Sequence, residues 1–382
     1  MDFELSEEHR MLQGMVREFV AAELEPVASQ LDEEKRFPTE ILEKMAKLGL
    51  LGIPYPEEYE GAGMDTLAFA LAIEEISGAC GSTGLTLAAH SSLCIYPIYA
   101  FGTEEQKKKY LPDLCSGRAV GAFSLTEPDA GSDAAGLKTT AVRKNGGYAL
   151  NGTKMYVTNG GYSKTIVAFA RTDSNVPKHK GLTSFIVESD FPGYKLGKEE
   201  RKLGLNASNT QEVIYEDCMV PEENMLGQLG DGFKIAMKVL DGGRVGIAAM
   251  ALGIAQSAYQ RSLQYAKERV QFNKPISALQ AIQFKLADMA TEIAAARHMV
   301  YHSAWLKDQG KPFEKQAAMA KLFASEVAMR VTNQAIQVHG GYGYIKDYLV
   351  ERYFRDAKLT TIGEGTSEVH RLVIAKYVLQ EL

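Results

Sequence analysis

A double change of period constrains this chain more than any other feature. Apolar residues recur at helical spacing up to about Gly117, alternate with polar ones from about Ala119 to Leu226, and return to helical spacing from about Asp231 onward. A helix repeats every 3.6 residues and a strand every two, so neither pattern folds well as the other. The expected order is an α-helical domain over residues 1–118, an antiparallel β-domain over 119–228, and a four-helix-like α-bundle over 229–382. The fold class is α+β multidomain.

Local signals agree with those zones. Leu5-Ser6-Glu7-Glu8 reads as a helix N-terminus followed by an apolar stripe of Met11, Val16, Phe19 and Val20. A further helix is expected over 39–48, ended by Gly49, and Thr103-Glu104-Glu105-Gln106 is a capping-box pattern for a helix closing near Leu114. In the middle zone, Asn145-Gly146-Gly147, Asn151-Gly152 and Asn159-Gly160-Gly161 are hairpin signals between short strands near 148–150, 154–158, 165–170, 182–187 and 212–215. The last zone carries helical patterns over 233–240, 245–269, 276–307, 315–338 and 368–380. There, the small face of Ala287, Met289, Ala290, Ala294, Ala295 and Ala296 suits close helix packing.

Charge and cysteine usage exclude several classes. The net charge is 42 − 48 = −6 with no basic run, so nucleic acid is not an expected partner. Cys80, Cys94, Cys115 and Cys218 are too scattered for a disulfide framework or a CxxC metal site, so reduced thiols and no metal are expected. Residues 1–10 are charged and lack the apolar core of a signal peptide, which implies a cytoplasmic location. The stretch 76–103 carries no charge and is long enough to cross a bilayer. Its Gly78, Gly81, Gly84, His90 and Pro97 instead suit helix buried in a large core, without integral membrane association.

Residues that could carry chemistry gather in turns. Arg355-Asp356-Ala357-Lys358 is followed by Ile362-Gly363-Glu364-Gly365-Thr366-Ser367-Glu368. A carboxylate between glycines can meet a ligand closely, and the Thr-Ser pair can cap the next helix and aim its N–H groups at that ligand. Alone, the turn fits an ordinary helix–turn–helix junction with an exposed Glu better. The segments from Phe123 to Asp133 and from Met155 to Gly161 share one shape: aromatic, apolar residue, hydroxyl, tight turn. Two such segments could hold one planar ligand between them. Asp241-Gly242-Gly243-Arg244 sits in a helical pattern where each glycine costs about 1 kcal/mol. Close approach of a ligand or helix competes there with a capped break between two helices. Arg269-Val270-Gln271-Phe272 can grip a phosphate, and 337–343 can lay a ligand against bare glycine backbone. No GxGxxG follows a strand, so a Rossmann site is not supported.

Together, in order and over essentially the whole chain, these segments resemble the acyl-CoA dehydrogenase family, most of all its short-chain (butyryl-CoA) branch, which Asp217-Cys218, the run 233–237 and Ala375 also fit. The resemblance implies an FAD-dependent enzyme that desaturates a short-chain acyl-CoA between Cα and Cβ. Glu364 would be the catalytic base, its N–H would hold the thioester oxygen, and hydride would pass from Cβ to flavin N5. Thr126 and Thr158 would hydrogen-bond the isoalloxazine, Tyr156 would pack on it, and Phe123 and Leu125 would belong to the same cofactor site. Thr366 and Glu368 would complete the flavin site, and Ser132 would touch the flavin phosphate or the CoA arm. Asp241, Arg244 and Gly365 would bind substrate. Arg269, Phe272, Gln280, Gln337 and Gly341 would grip the FAD pyrophosphate and adenosine of a neighbouring subunit, implying a homotetramer built as a dimer of dimers. Electrons would leave through an electron-transfer flavoprotein.

One position sharpens the comparison and two depart from it. Some branches of the family carry the base where this chain has Gly243, which cannot act as one, so Glu364 has no competitor. A Tyr common before the base is Gly363 here, which makes room for branched acyl groups, and Asn273 stands where a Gly is usual. Three rivals remain open at this point: an acyl-CoA oxidase, an enoyl-CoA reductase running the reverse reaction, and a non-catalytic flavin or acyl-CoA binding protein.

Overall fold

A computed structural model describes residues 4–380; the outermost residues of the first and third expected domains, 1–3 and 381–382, lie outside the described residues. Helix α1 (Glu7–Phe19) starts at Ser6, whose hydroxyl accepts the His9 N–H at 3.2 Å. Its buried stripe is Leu12, Val16 and Phe19, and Met11 is 69% exposed. Met11 stands one residue, and so about 100°, off that stripe. A π-turn over Val20–Leu24 leads into α2 (Glu25–Glu34), and α3 (Thr39–Lys47) ends before Gly49 at φ 71°. The uncharged stretch becomes the end of α4 (Thr66–Ala79), then α5 (Gly81–Ala88), a π segment over Ala89–Ile95, and α6 (Tyr96–Phe101). These pieces are mostly buried, and no described helix is long and apolar enough to cross a membrane. Helix α7 (Glu104–Cys115) opens with the expected capping box of Thr103 and Gln106.

The middle zone folds as one sheet of β1 (Val120–Ser124), β2 (Thr140–Lys144), β3 (Gly147–Thr158), β4 (Ser163–Arg171), β5 (Leu182–Glu188), β6 (Tyr194–Glu199), β7 (Thr210–Pro221) and β8 (Met225–Leu226). The order is β6-β7-β3-β2-β4-β5-β8, with β1 beside β4. Asn145 and Gly146, at φ 48° and 78°, make the β2–β3 hairpin. Two of the expected hairpins are absent. Asn151-Gly152 lies inside β3 as a bulge against β7, because Asn151 bonds Asp217 across the ladder instead of turning the chain. Asn159-Gly160-Gly161 does turn the chain, but β2 separates β3 from β4. The sheet is also not wholly antiparallel: β1 runs parallel to β4, because the chain crosses over through residues 125–139 and the β2–β3 hairpin before returning.

The last zone holds α8 (Gly232–Glu268), the small ribbon of β9 (Val270–Gln271) and β10 (Lys274–Pro275), α9 (Gln280–Asp308), α10 (Glu314–His339), α11 (Val350–Thr360) and α12 (Ser367–Val378). Helix α10 packs on α8, α9, α11 and α12, and α4 packs on α8, so the first and last zones share one apolar core. Where two helices were expected across Asp241–Arg244, α8 is continuous. On α9 the buried side is Leu286, Met289, Ile293, Ala296 and Val300, while Ala287, Ala294 and Ala295 are exposed in the single chain. The packing face therefore follows the large residues at helical spacing, with Ala296 and Met289 alone kept from the expected small face.

Candidate active site

Glu364 owes its setting to four helices. After α11, the N–H groups of Ile362 and Gly363 both return to the Leu359 carbonyl at 2.8 Å. Glu364 then takes a left-handed φ of 53°, followed by Gly365 at 100°. A non-glycine residue in that region stores about 1–3 kcal/mol of strain, which surrounding contacts must hold. Thr366 caps α12 by accepting the Val369 N–H, and the Ser367 N–H closes onto Thr361 at 3.1 Å. From α10, Lys321 Nζ donates to the Gly365 carbonyl at 2.6 Å.

The Glu364 side chain rests on α8. A Cβ at Gly243 would collide with Glu364 Oε2 and stand 2.9 Å from its Cδ and 3.1 Å from Leu93 Cδ2. Gly243 is therefore no helix break but the floor under the carboxylate, which explains the continuity of α8. Although Glu364 as a residue is half-buried, its Oε2 is out of solvent without a hydrogen-bond partner. Burial pushes its pKa up to about 7, and the charges of Lys321 and Arg244 pull the other way. Arg244 is buried, with Nη1 on Asp241 Oδ1 at 2.5 Å and Nε unpartnered. Asp241 itself is raised, first by burial. His370 on α12 is 0% exposed with both ring nitrogens unpartnered, and burial lowers it to about 3, so it is neutral. Unpaired buried atoms of Arg244, Glu364, Ser367 and His370 thus surround one turn, as expected of a site that completes its bonds with a ligand.

Facing the same apolar cluster as Leu93 and Leu125, the β-domain supplies a second wall. The turn from Glu127 to Ala130 closes on itself, and the Met155 N–H donates to Thr126 O at 2.8 Å, so the two turn segments lie side by side as expected. Fully buried Lys154 donates to Leu125 O at 3.1 Å and to Glu127 at 2.8 Å. Glu127 also accepts the Lys138 and Thr139 N–H groups at 2.5 and 2.9 Å. The hydroxyls of Thr126 and Thr158 make no hydrogen bond within the described residues, and Tyr156 is 63% exposed at φ 58°. Free hydroxyls beside an open aromatic face fit the FAD that the resemblance implies. Phe123 packs on Phe169 at 5.0 Å, Leu125 is buried beneath the turn, and Ser132 is exposed beyond it. Glu368 is exposed on the first turn of α12.

The remaining expected contacts lie elsewhere. Arg269 and Gly341 line a cavity of about 440 Å³ with Tyr265, Val338, His339 and Tyr342. Phe272 projects from the β9–β10 turn at 83% exposure, and Gln280 and Gln337 are exposed on α9 and α10. Lys321 and Gln337 share α10 roughly 24 Å apart at 1.5 Å per residue, so this group does not meet Glu364 in one chain. Sequence reasoning missed Lys321, His370 and the Glu127–Lys154 pair. A single lysine amid Ala317, Ala320, Ala324 and Ala328 was the available signal for Lys321, since an apolar helix face does not bury a charge without a partner.

The sequence matches three families in order: acyl-CoA dehydrogenase N-terminal domain over residues 6–118, middle domain over 122–218, and C-terminal domain over 230–379. An acyl-CoA dehydrogenase of Bacillus subtilis is 52% identical over 98% of this chain and 99% of its own. A short-chain-specific acyl-CoA dehydrogenase of Clostridium acetobutylicum is 51% identical with the same coverage of 98% and 99%. An acryloyl-CoA reductase (NADH) of Anaerotignum propionicum is 50% identical over 100% and 96%. Among solved structures, butyryl-CoA dehydrogenase from Megasphaera elsdenii superposes with a TM-score of 0.98 at 45% identity, over 99% and 100% of the two chains. A chain from work on the electron transferring flavoprotein of Acidaminococcus fermentans gives 0.98 at 51%, with coverage of 99% and 100%. An acyl-CoA dehydrogenase complexed with FAD from Bacillus anthracis gives 0.93 at 36%, over 99% of this chain and 68% of the other.

Proposed function

Since the chain belongs to the acyl-CoA dehydrogenase family, an FAD-dependent class of oxidoreductase, we propose that it desaturates short-chain acyl-CoA thioesters to trans-2-enoyl-CoA with Glu364 as general base. One observation carries this reading: a carboxylate on a strained turn, its Oε2 buried and unpartnered, pressed onto Gly243. Such a group accepts a proton readily near neutral pH, because burial has already raised its basicity. Its backbone N–H makes no hydrogen bond within the described residues and is free to hold the thioester oxygen as charge develops there. Arg244, fixed by Asp241, steadies the negative charge of the ionised base. When bound, FAD supplies the hydride acceptor for the β hydrogen. Thr126, Thr158 and Tyr156 would orient the isoalloxazine, and the Glu127–Lys154 pair holds their turn in place.

We place domain boundaries near residues 118 and 228 and assign the second contact group to a partner copy. Arg269, Phe272, Gln280, Gln337 and Gly341 gather around the far ends of α8 and α10, too distant to serve their own Glu364, which supports a homotetramer sharing its cofactor across subunits. The exposed Ala287, Ala294 and Ala295 offer α9 a face for such packing. An electron-transferring flavoprotein is the proposed oxidant, in keeping with the similarity to the Acidaminococcus fermentans chain. Four unpaired, buried thiols suit a reducing cytoplasm. At Gly363 an added Cβ would stand in ordinary contact with Leu359, at 3.6 Å or more, so a larger ring there would need room beyond that contact; its absence makes branched acyl groups part of the proposed substrate range. Relatedness to an acryloyl-CoA reductase favours one second reading, the reverse reaction.

The deciding experiment is anaerobic. The yellow protein should bleach on adding butyryl-CoA, and Glu364→Gln should bind FAD yet lose bleaching by about 10⁴-fold in rate. Equal rates in the two proteins would remove Glu364 from the mechanism. Isobutyryl- and 2-methylbutyryl-CoA in the same assay read the pocket at Gly363. NADH consumption with acryloyl-CoA and an electron-transferring flavoprotein reads direction, and peroxide release in air marks an oxidase.

A further inference from the structure

Lys321 is the buried cation that the reading above leaves without a task. It is 0% exposed in the first half of α10, on a buried face of small residues that includes Ala317, Ala318, Ala324, Ser325 and Ala328. Among the described residues its ammonium has one hydrogen bond, to the Gly365 carbonyl at 2.6 Å, one residue past Glu364. Among the described residues it makes no ion pair, and Glu364, the foremost charge of opposite sign acting on it, is likewise without one there. Burying an ammonium for the sake of one backbone carbonyl is costly, and an alanine-rich face offers nothing in return. The turn it grips is also the one that holds a glutamate at positive φ.

We propose that Lys321 is the positioning residue of the base: its ammonium clamps the Gly365 carbonyl, fixing the strained turn that aims Glu364, and its charge favours the ionised Glu364 carboxylate. The groups facing Glu364 from the packed helices are Lys321 on α10, Arg244 on α8 with its partner Asp241, and neutral His370 on α12; exposed Glu368 adds a weaker negative charge near Lys321. Lys321 and Arg244 both lower the Glu364 pKa, so losing either raises it. Glu364 must be ionised to take a proton, so the acid limb of the pH profile should then move to higher pH.

The test rests on Glu364 being the base, and it separates the two ideas. In the FAD-loaded enzyme, Lys321→Met should lower kcat about 10²-fold, the scale of an ångström-sized misplacement, and move the acid limb up by about one pH unit. Lys321→Gln keeps a donor for Gly365 without the charge: it should regain most of the kcat while leaving the acid limb shifted. Flavin absorbance reports whether each variant holds its cofactor. Difference infrared titration of the Glu364 carboxyl, with Glu364→Gln as blank, should show the same upward shift in both variants without any turnover. An unmoved carboxyl titration, or kcat losses that merely track lost FAD, would overturn the proposal. If Glu364→Gln stays active but the infrared shift appears, the base assignment fails and the Lys321–Glu364 linkage stands.

Discussion

Two glutamates in this molecule sit beside buried lysines, and they have opposite fates. Glu127 takes Lys154 at 2.8 Å and two backbone N–H groups, and these partners more than offset burial, holding its pKa below the usual carboxylate value. Glu364 has Lys321 nearby but not hydrogen-bonded to it, the ammonium donating instead to the Gly365 carbonyl; burial prevails and the pKa rises to about 7. The lesson is that charge proximity does not decide a carboxylate's role. Hydrogen bonds to its own oxygens do: the satisfied group is a strut, and the unsatisfied one keeps its lone pairs for a proton.

Each half of that contrast can be broken. The largest effect is the loss of flavin bleaching in Glu364→Gln, with no counterpart expected for any change at Glu127 that leaves the cofactor in place. Next, Glu127→Ala strands Lys154 in the sheet and should cost about 3–5 kcal/mol in denaturant unfolding, while Glu127→Leu with Lys154→Met should recover most of it. A single variant no less stable than wild type would show the pair to be idle. Gly243→Ala should leave folding cooperative but push the carboxylate aside, lowering kcat about 10²-fold with FAD still bound. Unchanged kcat there would mean that Glu364 does not rest on α8 during turnover. The smallest effect is on stability against pH. Raised to about 7, Glu364 contributes stability that is intact below its unfolded value of 4.5 and lost as pH rises through 7. Glu364→Gln escapes that loss, so its Tm should gain on wild type between pH 5 and 8, by roughly 1–3 kcal/mol in stability. Parallel Tm curves would contradict the raised pKa.

Much of this was legible in the chain, and the failures share a cause. The α–β–α order, the caps at Ser6 and Thr103 and the Asn145-Gly146 hairpin follow from local spacing and turn chemistry, and all are present. The glycines flanking Glu364 drew attention to its turn, but the turn alone fitted an ordinary junction with an exposed Glu, and only the fold shows its Oε2 buried. What failed was decided by distant partners. Asn151-Gly152 became a bulge because Asp217 captures Asn151, and Gly243, in the middle of an unbroken helix, marks the space taken by a turn more than a hundred residues later rather than a break. Lys321 could not be paired from sequence, since the carbonyl it grips belongs to another helix junction and carries no side-chain signature.

The unbroken course of α8 has a further consequence. Arg244 lies within this helix beside Glu364, and Arg269 is its C-cap at the far rim, roughly 37 Å away at 1.5 Å per residue. Each residue inserted or removed between them would swing one end about 100° relative to the other. Helix length here is thus a matter of phase, fixed to the single residue, because one rotation sets how both ends of the helix face their surroundings at once.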